Sequence, residues 1–302
     1  MRICSLLPSA TEIAYAIGLG ESIIGVSHEC DFPPDASTKP SLLRPRVDPS
    51  APPAEIDRRV SEIIARGESI YAVDAELLRS LDPDLILTQD LCHVCAASPD
   101  DLATALTKFQ KPPRVLSLTP RSLAEVWADI RRIGEVTAHS REANAFAARL
   151  EARVAAVEET VAKAQSRPRV LCLEWLDPYY VGGHWVPEMV AKAGGEDVLG
   201  RLREPSFKVG ADQILGARPD VIVVMPCGYN LQRTVLEFRF ELLPHGIEAL
   251  PALQEHRVFA VDANSYFSRP GPRLADGVAL LAHMFHPDVM ASGFPVDAFQ
   301  RI

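Results

Sequence analysis

Short apolar runs alternate with longer amphipathic segments along most of the chain. The runs are rich in Leu, Ile and Val and are bounded by polar or proline-containing turns; they read RICSLL, DLILTQD, RVLSL, RVLCLE, DVIVVM and RVFAVD. Strands that are apolar almost throughout are typical of parallel sheets covered by helices on both faces. The pattern therefore predicts an α/β fold.

Three segments of the first half return in the same order in the second half. RICSLLPSATEI resembles RVLCLEWLDPYY, AELLRSLDPDLILT resembles ADQILGARPDVIVV, and PRVLSL resembles HRVFAV. Pro219 follows Pro83 by 136 positions, and Asp212 follows Glu76 by the same number. The repeat predicts two lobes, each with a small parallel sheet flanked by helices.

The segment between the two repeats is free of proline and rich in Ala, Glu and Arg over residues 122–165. This composition predicts a long α-helix that joins the lobes and ends before Pro168, which cannot continue a helix. We expect an N-terminal lobe over residues 1–121, a helical connector over 122–167 and a C-terminal lobe over 168–302. The tetrapeptide SATE, from Ser9 to Glu12, also has the spacing of a capping box at a helix start.

Composition and charge exclude some classes of function. The net charge is −9 without a basic cluster, so binding to nucleic acid is not expected. No apolar stretch is long enough for a transmembrane helix. The first twenty residues contain Glu12 where a signal peptide would be apolar, which favours a strand followed by a helix. We therefore expect a cytoplasmic monomer, or a periplasmic or membrane-tethered protein if the chain is a trimmed precursor.

Loops that follow the strands are the expected ligand-binding site, because ligands bind beyond the carboxyl ends of parallel strands, and two facing lobes would form a cleft. The loops of the second lobe, EWLDPYYVGGHW and ANSYFSRPGP, are rich in aromatic residues. Aromatic rings supply large flat apolar areas, so these loops could contact a flat, bulky ligand. The alternative is that the rings fill the core of their own lobe.

Two loops of the first lobe combine cysteine with histidine. HECD contains His28 and Cys30, and LCHVC contains Cys92, His93 and Cys95. Thiolates and imidazoles can bind zinc or iron, although the spacing lacks the paired couples of zinc motifs. Packing of the cysteines, a redox or disulfide role, and nucleophilic catalysis by Cys92 are the alternatives.

Several stretches together resemble the cobalamin-binding proteins of ABC importers, within the helical-backbone class of substrate-binding proteins. The resemblance covers nearly the whole chain and is carried by RICSLLPSATEIAYAIGLG, VSHECDFP, LDPDLILTQ, LEWLDPYYVGGHWVPEMVAKAGG and SRPGPRLADGVALLAHMFHP. It implies a non-enzymatic protein that binds a corrinoid between its lobes and requires no cofactor. Another metal chelate, a siderophore or haem, is the alternative ligand, and an enzyme that uses Cys30, Cys92 and Cys95 is the alternative class.

The resemblance and the loop positions together give the expected site residues. The expected ligand contacts are Ser9, His28, Tyr71, Gln89, His93, Trp175, Tyr179, Tyr180, Trp185, Tyr266 and Arg269. The resemblance also implies docking on an ABC permease through one acid of each lobe, Glu76 and Asp212. A bound zinc or iron would involve His28, Cys30, Cys92 and Cys95. His28 or His93 could alternatively be an axial ligand of the corrinoid cobalt.

Overall fold

The computed structural model describes residues 1–89, 99–238, 243–291 and 293–302. The chain forms two compact units. Unit 1 comprises residues 1–120 and 125–148, and unit 2 comprises residues 121–124 and 149–302. Within the described ranges, no helix is long and apolar enough to cross a membrane.

Unit 1 has a parallel sheet covered by helices, with a small antiparallel pair beside it. Its strands are β1 (Ile3–Ser5), β2 (Ile23–Val26), β3 (Leu43–Pro45), β4 (Tyr71–Val73), β5 (Leu85–Gln89) and β6 (Arg114–Leu118). Its helices are α1 (Pro8–Ala16), α2 (Pro53–Ala65), α3 (Ala75–Leu81), α4 (Pro99–Leu106), α5 (Leu123–Val136) and the first part of α6 (Ser140–Val161). The sheet order is β2–β1–β5–β6, with every pairing parallel, whereas β3 and β4 pair antiparallel.

Unit 2 contains the rest of α6 and a larger, mixed sheet. Its strands are β7 (Arg169–Leu176), β8 (Tyr179–Val181), β9 (Glu196–Asp197), β10 (Phe207–Lys208), β11 (Val221–Val224), β12 (Val258–Val261) and β13 (Phe299–Arg301). Its helices are α7 (Val186–Lys192), α8 (Ala211–Ala217), α9 (Leu231–Glu237), α10 (Pro251–Gln254), α11 (Ala263–Tyr266) and α12 (Leu274–Phe285). The order is β10–β8–β7–β11–β12–β13, with β9 beside β7.

Parallel pairing of β7, β9, β11 and β12 confirms the predicted α/β class. Strands β8, β10 and β13 pair antiparallel, so the sheet of unit 2 is not purely parallel as expected. One of the three, β8, lies in the aromatic segment EWLDPYYVGGHW, which forms the end of β7, a tight turn and β8 rather than one loop.

The predicted repeat has a structural counterpart in side-chain hydrogen bonds. In unit 1 the Arg2 amide donates to Asp84 Oδ2 at 2.7 Å, and the Arg2 guanidinium donates to Leu81 O at the end of α3. In unit 2 the Arg169 amide donates to Asp220 Oδ2 at 2.9 Å, and its guanidinium donates to Ala217 O at the end of α8. Each Arg–Asp pair therefore joins the start of a strand, a helix end and the start of the neighbouring strand.

The expected capping box at Ser9 is wrong. Helix α1 begins at Pro8, and its N-cap is Leu7, whose side chain makes no capping hydrogen bond. Proline suits the first helical position because its fixed φ is compatible with a helix and it needs no partner for an amide hydrogen. Ser9 therefore lies inside the first turn, where it is buried.

The helical segment between the repeats contains two helices. Helix α5 ends at Val136, and α6 spans 22 residues from Ser140 to Val161, about 33 Å at 1.5 Å per residue. Ala138 has a φ of +60°, outside the range of a right-handed helix, so the chain changes direction between them. The predicted limits of the connector, residues 122–167, stay a prediction.

Candidate ligand-binding site

One row of side chains crosses three neighbouring strands of unit 2. Trp175 of β7 is the cross-strand partner of Tyr180 in β8, and Tyr180 is the partner of Lys208 in β10. Directly opposed residues of antiparallel strands present their side chains on the same face. Lys208 Nζ lies 5.3 Å from the centroid of the Tyr180 ring. We call Trp175, Tyr180 and Lys208 the aromatic row.

Tyr229 adds a fourth side chain to this surface. Its ring packs edge-to-face against Trp175, with 5.4 Å between the ring centroids. Tyr229 is only 3% exposed. It therefore acts as a buried support for Trp175 and does not itself offer a ring face to a ligand. The sequence analysis did not single out Tyr229; its position five residues beyond a buried strand is the signal that could have found it.

Backbone hydrogen bonds hold together the loops that follow β7, β11 and β12. Cys227 N donates to Glu174 O at 3.1 Å, and Asn264 N donates to Tyr229 O at 3.0 Å. The Glu174 carboxylate accepts hydrogen bonds from Gly183 N at 3.4 Å and from the Ser206 hydroxyl. These bonds fix Glu174, which precedes Trp175, and the loop of Tyr229, so both rings start from a well-held backbone.

Other aromatic residues expected to contact ligand have different environments. Trp185 is 5% exposed, and its indole N–H donates to Phe267 O at 2.8 Å, so this ring is part of the core of unit 2. Tyr179 precedes Tyr180 and has the opposite orientation, because it packs against the hydrophobic core. For these two rings the structure favours the core alternative.

The loop after β12 contains the two remaining expected contacts of unit 2. Tyr266 is partly buried, and burial raises the pKa of its phenol. Gly277 of α12 lies against Tyr266 O, where a β-carbon would overlap it, so α12 holds the loop in place. Arg269 is 9% exposed. Tyr266 and Arg269 therefore stay predicted ligand contacts.

In unit 1 the structure brings His28 and Tyr71 together. Their ring centroids are 5.2 Å apart at an interplanar angle of 50°, and the Tyr71 hydroxyl donates to Glu29 Oε1 at 3.4 Å. The imidazole is about a quarter exposed, and His28 Nε2 lies 3.9 Å from Glu29 Oε1. Burial lowers the pKa of His28, an effect that the Glu29 carboxylate partly opposes. A neutral imidazole, with a nitrogen lone pair available, is therefore favoured at neutral pH.

Ser9, Gln89 and Cys30 are buried in unit 1. Their exposed fractions are 2%, 5% and 2%. Cys30 Sγ lies 3.1 Å from the Thr11 hydroxyl, a contact that fixes the HECD loop onto α1. Their burial leaves little of each side chain exposed to a ligand, and ligand roles for Ser9, Gln89 and Cys30 stay predictions.

The predicted metal site has no support from the described part of the chain. Within it, no group of three or more His, Cys, Asp and Glu side chains could hold a metal ion. Cys92, His93 and Cys95 lie outside the described residues. A site that includes them stays a prediction, as does a ligand role for His93.

Glu76 and Asp212, the expected docking residues, occupy equivalent positions. Each is exposed and lies in the first turn of a seven-residue helix, α3 or α8. Both helices end at a residue with a left-handed backbone, Asp82 and Arg218. The repeat therefore gives both acids the same local structure, in which the helix dipole favours a carboxylate.

Known proteins resemble this chain over most of its length. A vitamin B12-binding protein of Yersinia pestis (strain Pestoides F) is 24% identical over 274 residues, 90% of this chain and 82% of that protein. The periplasmic vitamin B12-binding protein BtuF of Vibrio cholerae has a TM-score of 0.68 and 23% identity, covering 95% of this chain and 96% of its own. A periplasmic haem-binding protein of Pseudomonas aeruginosa has a TM-score of 0.75 and 18% identity, covering 100% and 99%.

The family and its relatives confirm the prediction of a binding protein of ABC transport rather than an enzyme. A family model described as periplasmic binding protein matches residues 3–265. The expected cytoplasmic location is therefore wrong, because the members of this family are periplasmic binding proteins. The predicted resemblance is confirmed: the chain belongs to the periplasmic binding protein family.

Proposed function

We propose that the protein reversibly binds cobalamin or a related corrinoid and delivers it to an ABC permease. The observation that carries the proposal is the aromatic row of unit 2, in which Trp175 is supported edge-to-face by Tyr229. A corrin ring is broad and flat, and aromatic side chains offer a matching apolar area with little loss of rotamer entropy. The curated B12-binding relatives support the same ligand.

The charges beside the aromatic row are compatible with a corrinoid. The positively charged side chain of the aromatic row is Lys208, which lies next to Tyr180. The guanidinium of Arg233 stacks on the ring of Tyr229 and donates a hydrogen bond to the Tyr229 hydroxyl. Corrinoids carry amide side chains and little net charge, so they need few cations at their periphery. In unit 1, we propose that His28 and Tyr71 form a second contact surface.

Haem or another iron chelate is the second candidate ligand. Haem-binding proteins are among the similar structures, and Lys208 could pair with a carboxylate of such a ligand. The neutral imidazole favoured at His28 is also the form of histidine that binds metals. Both observations are consistent with an anionic metal chelate.

Delivery to a permease would use the two equivalent acids. We propose that Glu76 and Asp212 each pair with a basic side chain of the permease, because both are exposed and lie at helix starts. Their equivalent positions in the first turns of α3 and α8 would suit a permease made of two similar subunits, each contacting one acid.

Calorimetric titration with cyanocobalamin, cobinamide and haemin tests the ligand proposal. We expect cyanocobalamin or cobinamide to bind, and Trp175→Ala to weaken that binding about fivefold or more, because a truncated aromatic anchor costs about 1 kcal/mol or more. Leu202→Ala is the matched control: it removes an exposed apolar side chain, 54% accessible, outside the aromatic row. This variant should bind like the parent protein.

Two results would count against the corrinoid. Heat from haemin alone would assign the protein to the second candidate. Corrinoid binding that is equally strong in Trp175→Ala and Leu202→Ala would show that the aromatic row is not the contact surface.

A further inference from the structure

Arg233 makes a close charged contact with an aromatic ring of unit 2. Its guanidinium carbon lies 3.8 Å from the centroid of the Tyr229 ring, and its Nη2 donates to the Tyr229 hydroxyl at 3.0 Å. One side chain therefore holds both the face and the hydroxyl of Tyr229. A planar guanidinium can stack and donate at the same time, which a lysine ammonium cannot do with the same geometry.

The backbone of Arg233 is itself fixed. Asn230 is the N-cap of α9, and its Oδ1 accepts a hydrogen bond from Arg233 N at 2.9 Å. The Thr234 hydroxyl lies 2.9 Å from Asn230 O and 3.1 Å from Val261 O and shares its one proton between them, which ties the first turn of α9 to β12. Arg233 thus projects from a rigid helix start back over the residue four positions earlier.

We propose that Arg233 is a positioning residue for the ligand surface: it fixes Tyr229, and Tyr229 in turn fixes the ring of Trp175. This inference rests on the proposed function, because it assigns Arg233 a role through the aromatic row. The chain of contacts is continuous, from the guanidinium to Tyr229 and from Tyr229 to Trp175 across 5.4 Å. A preorganised ring binds a flat ligand more tightly, because less conformational entropy is lost on binding.

Direct capture of an anionic ligand is the competing role for this arginine. Its side chain is 26% exposed, and its Nε lies 4.0 Å from Glu237 Oε1. The guanidinium is therefore shared between Tyr229 and a carboxylate that already offsets part of its charge. This arrangement favours positioning over capture of an anion.

Quenching of tryptophan emission by acrylamide tests the positioning step in the ligand-free protein. Trp127 and Trp185 are 4% and 5% exposed, whereas Trp175 is partly exposed and should dominate the quenching. We expect Arg233→Gln to increase the quenching constant, since the ring of Trp175 loses its support. Trp175→Phe in the same background should abolish the increase, which identifies its source.

Binding of cyanocobalamin, followed by calorimetry, tests the consequence. We expect Arg233→Gln to raise Kd about fivefold, the size of a lost aromatic or cation–π contact, and Arg233→Lys to recover only part of this loss. Arg141→Gln, which removes an exposed arginine in the first turn of α6, is the matched control and should leave both readouts unchanged. Tyr229→Phe keeps the ring but removes the hydroxyl, so its Kd should lie between those of the parent and Arg233→Gln.

The outcomes separate the two proposals. An unchanged quenching constant and an unchanged Kd in Arg233→Gln would overturn the positioning role. Weaker binding of haemin with unchanged quenching would also overturn it, in favour of direct contact with an anion. Increased quenching in a protein whose parent form binds no corrinoid would support positioning while contradicting the proposed ligand. Should Arg233→Gln fail to fold, Tyr229→Phe and Arg233→Lys provide the same comparison.

Discussion

Asp197 is a buried carboxyl group whose two oxygens have different environments. Its Oδ1 accepts hydrogen bonds from Gly200 N at 2.6 Å and Leu199 N at 3.1 Å, whereas its Oδ2 is buried without a hydrogen-bond partner. Burial raises the pKa of Asp197 from 3.8 to about 6, although the two amide hydrogen bonds act in the opposite direction. The protonated carboxyl group is therefore the favoured form in the folded state below about pH 6.

This raised pKa predicts a pH dependence of stability. Between about pH 4 and 6 the unfolded chain releases the Asp197 proton before the folded chain does, so the free energy of unfolding should fall as pH rises, by at most about 3 kcal/mol. Asp197→Asn should remove this fall, because the amide keeps the Oδ1 acceptor and cannot ionise. Urea unfolding from pH 4 to 7 measures the slope. Asp288→Asn, at an exposed position, is the control; equal slopes in Asp197→Asn and the parent protein would contradict the prediction.

Side-chain orientation explains which site residues could be predicted from the sequence. An aromatic cluster near the carboxyl ends of the strands was predictable from the amino-acid sequence alone. Opposite orientations of Tyr179 and Tyr180 follow from the alternation of a strand, but only once β8 is known to be a strand. The buried indole of Trp185 donates a hydrogen bond to the backbone carbonyl of Phe267, 82 residues away. No local sequence pattern could therefore reveal its burial.

Among secondary-structure elements, the matched pairs are α3 with α8 and β5 with β11. The Arg2–Asp84 and Arg169–Asp220 pairs anchor these elements in the same way in each unit. The repeat and the central strands were predictable because apolar runs and a constant spacing are local features. The start of α1 was not, because Pro8 and Ser9 are both acceptable near a helix start, and the competition between them depends on packing.

Equal anchoring predicts equal losses of stability. Asp84→Ala and Asp220→Ala each leave the backbone amide of an arginine without its carboxylate acceptor. Each should lower the free energy of unfolding by about 0.5–1.5 kcal/mol, the usual net contribution of one hydrogen bond, because both bonds are exposed and water can replace the acceptor. Urea unfolding followed by circular dichroism measures both. Glu135→Ala, an exposed acid on α5, should change stability by less than about 0.5 kcal/mol. A loss in one unit without a comparable loss in the other would contradict the structural repeat.

At the scale of the whole molecule, net charge separates the candidate ligands. The chain carries a net charge of −9, so its long-range field disfavours the approach of an anion. A haem or a siderophore with several carboxylates would therefore depend on local cations such as Lys208, whose attraction is screened by salt. A corrinoid with amide side chains depends on apolar contact with the aromatic row, which salt affects little.

Ionic strength should consequently distinguish the two modes of recognition. We expect the Kd of cyanocobalamin to change less than about twofold between roughly 20 and 200 mM salt, because an uncharged contact has no screened attraction to lose. Lys208→Gln should leave that Kd nearly unchanged as well, because Tyr180 and Trp175 keep their positions on adjacent strands. Calorimetry at both salt concentrations measures the effect. The charge-matched control is Lys163→Gln, because Lys163 is exposed and lies beyond the end of α6. Two results together would favour an anionic chelate, because they would show that recognition depends on charge. The Kd would rise steeply with salt, and Lys208→Gln would raise it while Lys163→Gln would not.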